Sequence, residues 1–184
     1  MQRWWTRTGP RAARVLDAVR PHVDLVLVVV VTVAAFAPPL AGRGTLLGWE
    51  EPVRDLDVLA VVLVLGHSLP LALRTRSPGW CLLLVSVSAS VYQCLGYRQT
   101  VASIAVYLAL YTVGYRQRRH RVLTAAAWLL GYAALCLTLL RLGSPVPPVE
   151  LVEFLALPVG CWLAGALAGA GLAQHSWPQS SRDS

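Results

Sequence analysis

Few side chains in this apolar chain could do chemistry, and those that could fall into helical registers. Ser86, Ser90, Gln93 and Tyr97 follow one another at i, i+4, i+7 and i+11, and Thr100, Ser103, Tyr107 and Tyr111 repeat at similar spacing. Residues three and four apart share a helix face, so each set is a polar stripe. A tight turn joins the two runs, which makes them neighbours whose stripes can face each other. Facing hydroxyls either bond helix to helix, at roughly 0.6 to 2 kcal/mol each in a membrane, or line a site for a small amphiphilic ligand. His67 is the one titratable side chain well inside an apolar run, with Ser68 beside it and Pro70 just beyond. Proline removes an amide from the helix ladder and frees the carbonyl of Gly66. The group reads either as a pH-sensitive or ligand-contacting hinge, or as a neutral histidine hydrogen-bonded to a neighbouring helix. Pro158 frees the carbonyl of Phe154 in the same way and is a second hinge candidate.

No catalytic, cofactor-binding or metal-binding set can be assembled. The chain has no lysine, which excludes a phosphate-binding loop. The four cysteines (Cys81, Cys94, Cys136 and Cys161) lie in apolar runs without metal-ligand spacing and read as buried packing residues. Gly66-His67-Ser68-Leu69 lacks the glycine after the serine, and a second mid-membrane histidine, that an intramembrane serine protease needs. No charged residue falls at the centre of a run; Asp24 and Glu153 are expected within one turn of an interface, in reach of water. Ion-coupled transport normally needs a buried charge at mid-depth, so its absence counts against that function. The expectation is a protein that is not an enzyme and takes no cofactor or metal.

The elements that position these residues follow from composition. Of 184 residues 56% are hydrophobic and 14% charged, against about a quarter charged in soluble domains. A soluble core of this size cannot hide so much apolar surface. The +7 net charge is carried by arginine in short clusters between apolar runs, which favours a membrane partner over nucleic acid. Six runs emerge: Val23 to Ala41, Leu56 to Leu73, Trp80 to Leu95, Val101 to Tyr115, Val122 to Leu142 and Leu151 to Leu172. A span needs about 20 residues, so the third and fourth are short, with a turn at Gly96 to Gln99 between them. The fold expected is all-α: a multi-pass plasma-membrane protein of about six transmembrane helices over residues 23–173, with both termini cytoplasmic.

Arginine placement sets that orientation. Twelve arginines fall on the cytoplasmic side, among them Arg74, Arg76, Arg116, Arg118, Arg119 and Arg121, against four outside (Arg43, Arg54, Arg98 and Arg141). Acidic residues take the other side: Glu50, Glu51, Asp55, Asp57, Glu150 and Glu153. Trp49 and Tyr97 stand at outer boundaries, and Trp80, Tyr115 and Trp177 at inner ones, as interface anchors. Residues 1–22, with Trp4-Trp5 and five arginines, read as an interfacial basic segment helical from Pro10, or as a disordered basic arm. Residues 174–184 read as a short polar tail. Gly165 and Gly169, four residues apart in the sixth run, make either a homodimer seam or an internal packing face. The first apolar run begins too late and runs too long for a cleavable signal peptide.

Three segments resemble the N-terminal membrane region of actinobacterial sensor histidine kinases of the type paired with NarL-like response regulators. They are Val23-Asp24 with the aliphatic run behind it, Leu69 to Pro78 (similar to the family's PLALRRRxP inner turn), and Leu108 to Arg116 followed by Arg118-Arg119 (similar to ALYTVAxxRxRR). The resemblance covers residues 20 to 173 and implies a sensory input region with a two-component signalling partner. It stops there. None of the four histidines precedes an aspartate, so His175 is no phospho-acceptor, and the chain has no asparagine for an ATP-binding box. The expectation is a membrane-embedded input or regulatory module without kinase domains; the rivals are a small transporter or channel subunit and a structural partner of another membrane protein.

Overall fold

A computed structural model describes residues 10–37, 54–97, 100–117, 119–144 and 147–174. The expectations placed on Trp4-Trp5, Trp49, Arg43, Arg98, Arg118, Trp177 and His175, and on the tail beyond Gln174, lie outside these residues. Among the described residues the fold is all-helical, with only an isolated bridge between Arg54 and Tyr97 in extended backbone. The helices are α1 (Pro10–Phe36), α2 (Val58–Ser68), α3 (Pro78–Cys94), α4 (Ile104–Arg116), α5 (Arg121–Arg141), α6 (Pro148–Glu153) and α7 (Ala156–Gln174). Short 3-10 turns at Leu69–Leu73 and Val101–Ser103 extend α2 and lead into α4.

Local chemistry explains where the helices begin and end. Pro10, Pro78 and Pro148 open α1, α3 and α6, where the missing amide would have had no partner. Asp57 caps α2 by accepting the Ala60 amide at 2.8 Å. Gly143, at φ 82°, ends α5; the Ser144 amide reaches back to the Leu139 carbonyl at 3.0 Å. α1 is one continuous helix through His22, so the basic segment and the first apolar run share a single element. It stops at Phe36 rather than Ala41, because Ala37 precedes Pro38 and proline disfavours a helical residue before it.

Side chains face outward in the sense opposite to that of a soluble bundle. Small and aliphatic residues of the first four helices close the core: Val31, Ala60, Val64, Val85, Ala105, Ala109 and Val113 among them. The outer faces are also apolar, with Val29, Val33, Val62, Val87, Leu130 and Leu167 exposed. On α5 only Leu139 is fully buried. Two stretches, Arg121–Arg141 and Val149–Gly171, are long and apolar enough to cross a membrane; four shorter apolar helical stretches cover His22–Phe36, Val58–Leu73, Pro78–Cys94 and Val101–Arg116.

Polar bonds fasten the two ends of the bundle. At one end the Arg74 guanidinium Nε lies 2.7 Å from the Asp24 carboxylate. This corrects the expectation that Asp24 reaches water: the residue is 2% exposed, set well inside α1 and covered by the turn that carries Arg74. Near that end the Thr124 hydroxyl, its proton shared between Gln117 Oε1 at 2.7 Å and the His120 carbonyl at 2.9 Å, ties the start of α5 to the end of α4. At the opposite end the Tyr97 hydroxyl donates to both Asp57 carboxylate oxygens, at 2.8 and 3.0 Å. The Ala60 amide first, and then this hydroxyl, hold Asp57 below the usual carboxylate range.

Candidate functional site

The hydroxyl face of α3 does not close onto α4. Between α3, α4 and α5, with the α6–α7 junction beneath, lies a cavity of about 680 Å³. Ser86, Ser90 and Gln93 of α3 and Ser103 and Tyr107 before and on α4 all belong to its walls. α5 supplies Thr124, Trp128, Gly131 and Tyr132, and Phe154 and Pro158 complete the lining. Trp128 and Tyr132 stack with ring centroids 5.5 Å apart. Among the described residues no charged side chain lines this space. Sequence reading found the α3 and α4 walls and missed α5, although Thr124, Trp128, Gly131 and Leu135 repeat the same i, i+4, i+7, i+11 spacing.

Three members of the stripes sit elsewhere; one, the buried Thr100, caps the 3-10 turn before α4 by accepting the Ala102 amide at 3.3 Å. Tyr97 is wholly buried, which also overturns its assignment as an interface anchor. α3 ends at Cys94 and the chain turns through Gly96 at φ 67°, so the helical register does not carry to residue 97. There the Arg54 guanidinium lies 5.8 Å from the Tyr97 ring centroid. Tyr111 is 41% exposed and stacks on Tyr115. Each four-residue step advances about 40° around a helix of 3.6 residues per turn, which rotates Tyr111 away from Ser103 and the cavity.

Hydroxyls in these helices mostly bond backward to their own turn. Ser68, Thr112, Thr124 and Thr138 each donate to the carbonyl four residues earlier. Ser86 does not: its Oγ is shut off from solvent and has no hydrogen-bond partner. In a tightly packed protein such a group stands out, because buried polar atoms are nearly always paired.

The hinge candidates have distinct settings. His67 is buried, and its Nδ1–H donates to the Leu63 carbonyl of its own helix at 2.6 Å, not to a neighbouring helix. Its ring meets Tyr92 edge-on at 5.7 Å. At Pro70 the α-helix tightens into a 3-10 turn, while Thr32 of α1 donates to the Ser68 hydroxyl at 2.7 Å. Pro158 acts more strongly. The sixth apolar run breaks at Phe154–Leu155, four residues before it, and splits into α6 and α7. Gly165 and Gly169 lie against the backbone of Tyr111 and Tyr115 on α4, so that face is engaged within the chain.

Among the described residues no three His, Cys, Asp or Glu side chains are grouped to hold a metal ion. No family model, curated protein or solved structure matches this chain.

Proposed function

We propose that the chain is a membrane-embedded sensory module whose last helix answers to what occupies the α3–α4–α5 cavity. The observation that carries this is the place of the helix break. Phe154 and Pro158, which flank the α6–α7 junction, form part of the cavity wall, and α7 runs from that junction to Gln174. An occupant therefore touches the point where α7 is least constrained by its own hydrogen-bond ladder. The resemblance to sensor-kinase input regions is supported by coherence among its segments. Val23-Asp24 and the Leu69–Pro78 turn meet in the Asp24–Arg74 pair, and the third segment forms α4, against which α7 packs.

In this reading the six apolar helical stretches are six spans in the plasma membrane, both ends cytoplasmic. Tyr111 and Tyr115 of α4 lie opposite Gly165 and Gly169 of α7 in the same order, so these helices are parallel, as the fourth and sixth spans of an alternating bundle must be. Arg74, Arg76, Arg116, Arg119 and Arg121 belong to the α2–α3 and α4–α5 turns at one end, with Asp57, Glu150 and Glu153 toward the other. Alkaline phosphatase joined after Ser77 or Gln117 is expected to be inactive, and after Gly143 active; the reverse pattern sinks the topology.

The function is tested by joining the chain at Gln174 to the catalytic half of a histidine kinase. Autophosphorylation is expected to change with membrane composition, and Pro158→Ala, which restores the ladder across the break, is expected to flatten that response. A fusion whose output ignores every membrane perturbation ends the sensory reading.

A further inference from the structure

The cavity's chemistry says what kind of molecule it takes. Its volume of about 680 Å³ falls within the roughly 300–1,000 Å³ that one drug-sized ligand fills. Among the described residues the lining is overwhelmingly apolar and holds no ionised group, so none of these would compensate the burial of a charged head. Its polar groups are neutral hydroxyls and an amide on one side, facing the stacked Trp128 and Tyr132 rings on the other. The Ser86 hydroxyl is shut off from the cavity, so the α3 hydroxyl within reach of an occupant is that of Ser90, one turn further on. At the rim Leu83, Val87, Val91 and Leu123 are large, apolar and exposed, continuous with the surface that lipid would cover. The mouth therefore faces the bilayer, and α5, with Leu139 its one buried side chain, is the loosely held wall beside it.

We propose that this cavity binds one uncharged, single-chain amphiphile drawn from the bilayer, its head accepting a hydrogen bond from Ser90 and its apolar body lying between α3 and α5. The inference rests on the membrane-spanning reading above and names the ligand of the same site. A two-chain phospholipid is excluded by charge and by size, and a water-soluble ligand by the apolar rim.

The test uses the full chain in nanodiscs with a photoreactive monoacylglycerol as probe and a lysophosphatidic acid of the same chain as its charged counterpart. Saturable labelling by the uncharged probe is expected, mapping to residues 82–93 and 123–135 and competed at least tenfold better by unlabelled monoacylglycerol than by the lysophosphatidic acid. Ser90→Ala should weaken binding by about fivefold to tenfold, as expected for one hydrogen bond. Gly131 lines the cavity and a Cβ added there meets nothing within 4 Å, so Gly131→Leu should fold with undiminished melting temperature and abolish labelling. Unsaturable labelling along all lipid-facing helices, or saturable labelling untouched by Gly131→Leu, would overturn the site. Preference for the charged probe would overturn the ligand class. Binding that behaves as expected while the kinase fusion stays silent refutes the sensory output and leaves the site standing.

Discussion

Gly165→Val is expected to separate α4 from α7 and to lower the unfolding free energy of the protein by at least about 2–3 kcal/mol, the upper range for overpacking a close contact. A Cβ built on Gly165 falls onto the Tyr111 carbonyl oxygen, with the carbonyl carbon 2.9 Å and the Cα 3.1 Å away. Backbone cannot swing aside as a side chain can. Neither helix can tilt locally to make room, because the same seam is pinned at two other points. A Cβ at Gly169 would lie 2.6 Å from the Tyr115 oxygen, and one at Gly114 would strike the Trp162 carbonyl from the α4 side. The helices must part along their length, which forfeits the dispersion contacts that hold helices together where water provides no drive. Gly160→Val and Gly171→Val are the controls, since a side chain at either position meets nothing within 4 Å. Thermal unfolding in detergent separates the cases. If Gly165→Val melts with the parent protein but loses a cross-linked dimer, the glycine face joins two chains and the internal seam is wrong.

That seam shows how far sequence reading reaches. Gly165 and Gly169 announce a close helix approach, since small residues four apart permit one. They do not announce the partner, because α4 reciprocates with Gly114 and with bare backbone at Tyr111 and Tyr115, neither of which has a compositional signature. The apolar runs located every helix, since length and hydropathy are properties of a segment alone. Features set between segments were less legible. Tyr97 continued the α3 stripe on paper, yet the left-handed Gly96 redirected it under Asp57. The α5 wall of the cavity carried a register of its own at Thr124, Trp128 and Gly131, but a mixture of hydroxyl, indole and no side chain does not read as one stripe. Ser86 was picked out by spacing; that its hydroxyl lacks a partner is knowable only once its neighbours are placed.

Arg74→Met is expected to be costlier still, at about 3–5 kcal/mol, the usual result of stripping one partner from a buried ion pair. Asp24 is 2% exposed, and one of its oxygens already has no hydrogen-bond partner. Removing the guanidinium leaves the Asp24 carboxylate without counter-charge or donor, in a site bordered by the buried Cys81 thiol. Asp24→Leu should cost clearly less. Arg74 keeps 18% of its side chain exposed and its long stem lets the charge swing out to water, as arginines near a membrane surface do. The double substitution, Asp24→Leu with Arg74→Met, removes both desolvation penalties and should recover most of the loss, because apolar replacements of a buried pair are often neutral or better. The order of the four proteins is what matters: parent and double variant similar, Asp24→Leu below them, Arg74→Met lowest. Additive losses would mean that the two side chains act independently, and near-zero losses would mean that Asp24 is hydrated. Either result would detach α1 from the turn after α2, the junction where two of the three sensor-like segments meet. The recovered double variant, joined to the kinase half, then shows whether the pair fixes a fold or a signalling state: a stable protein with altered output assigns it the second role.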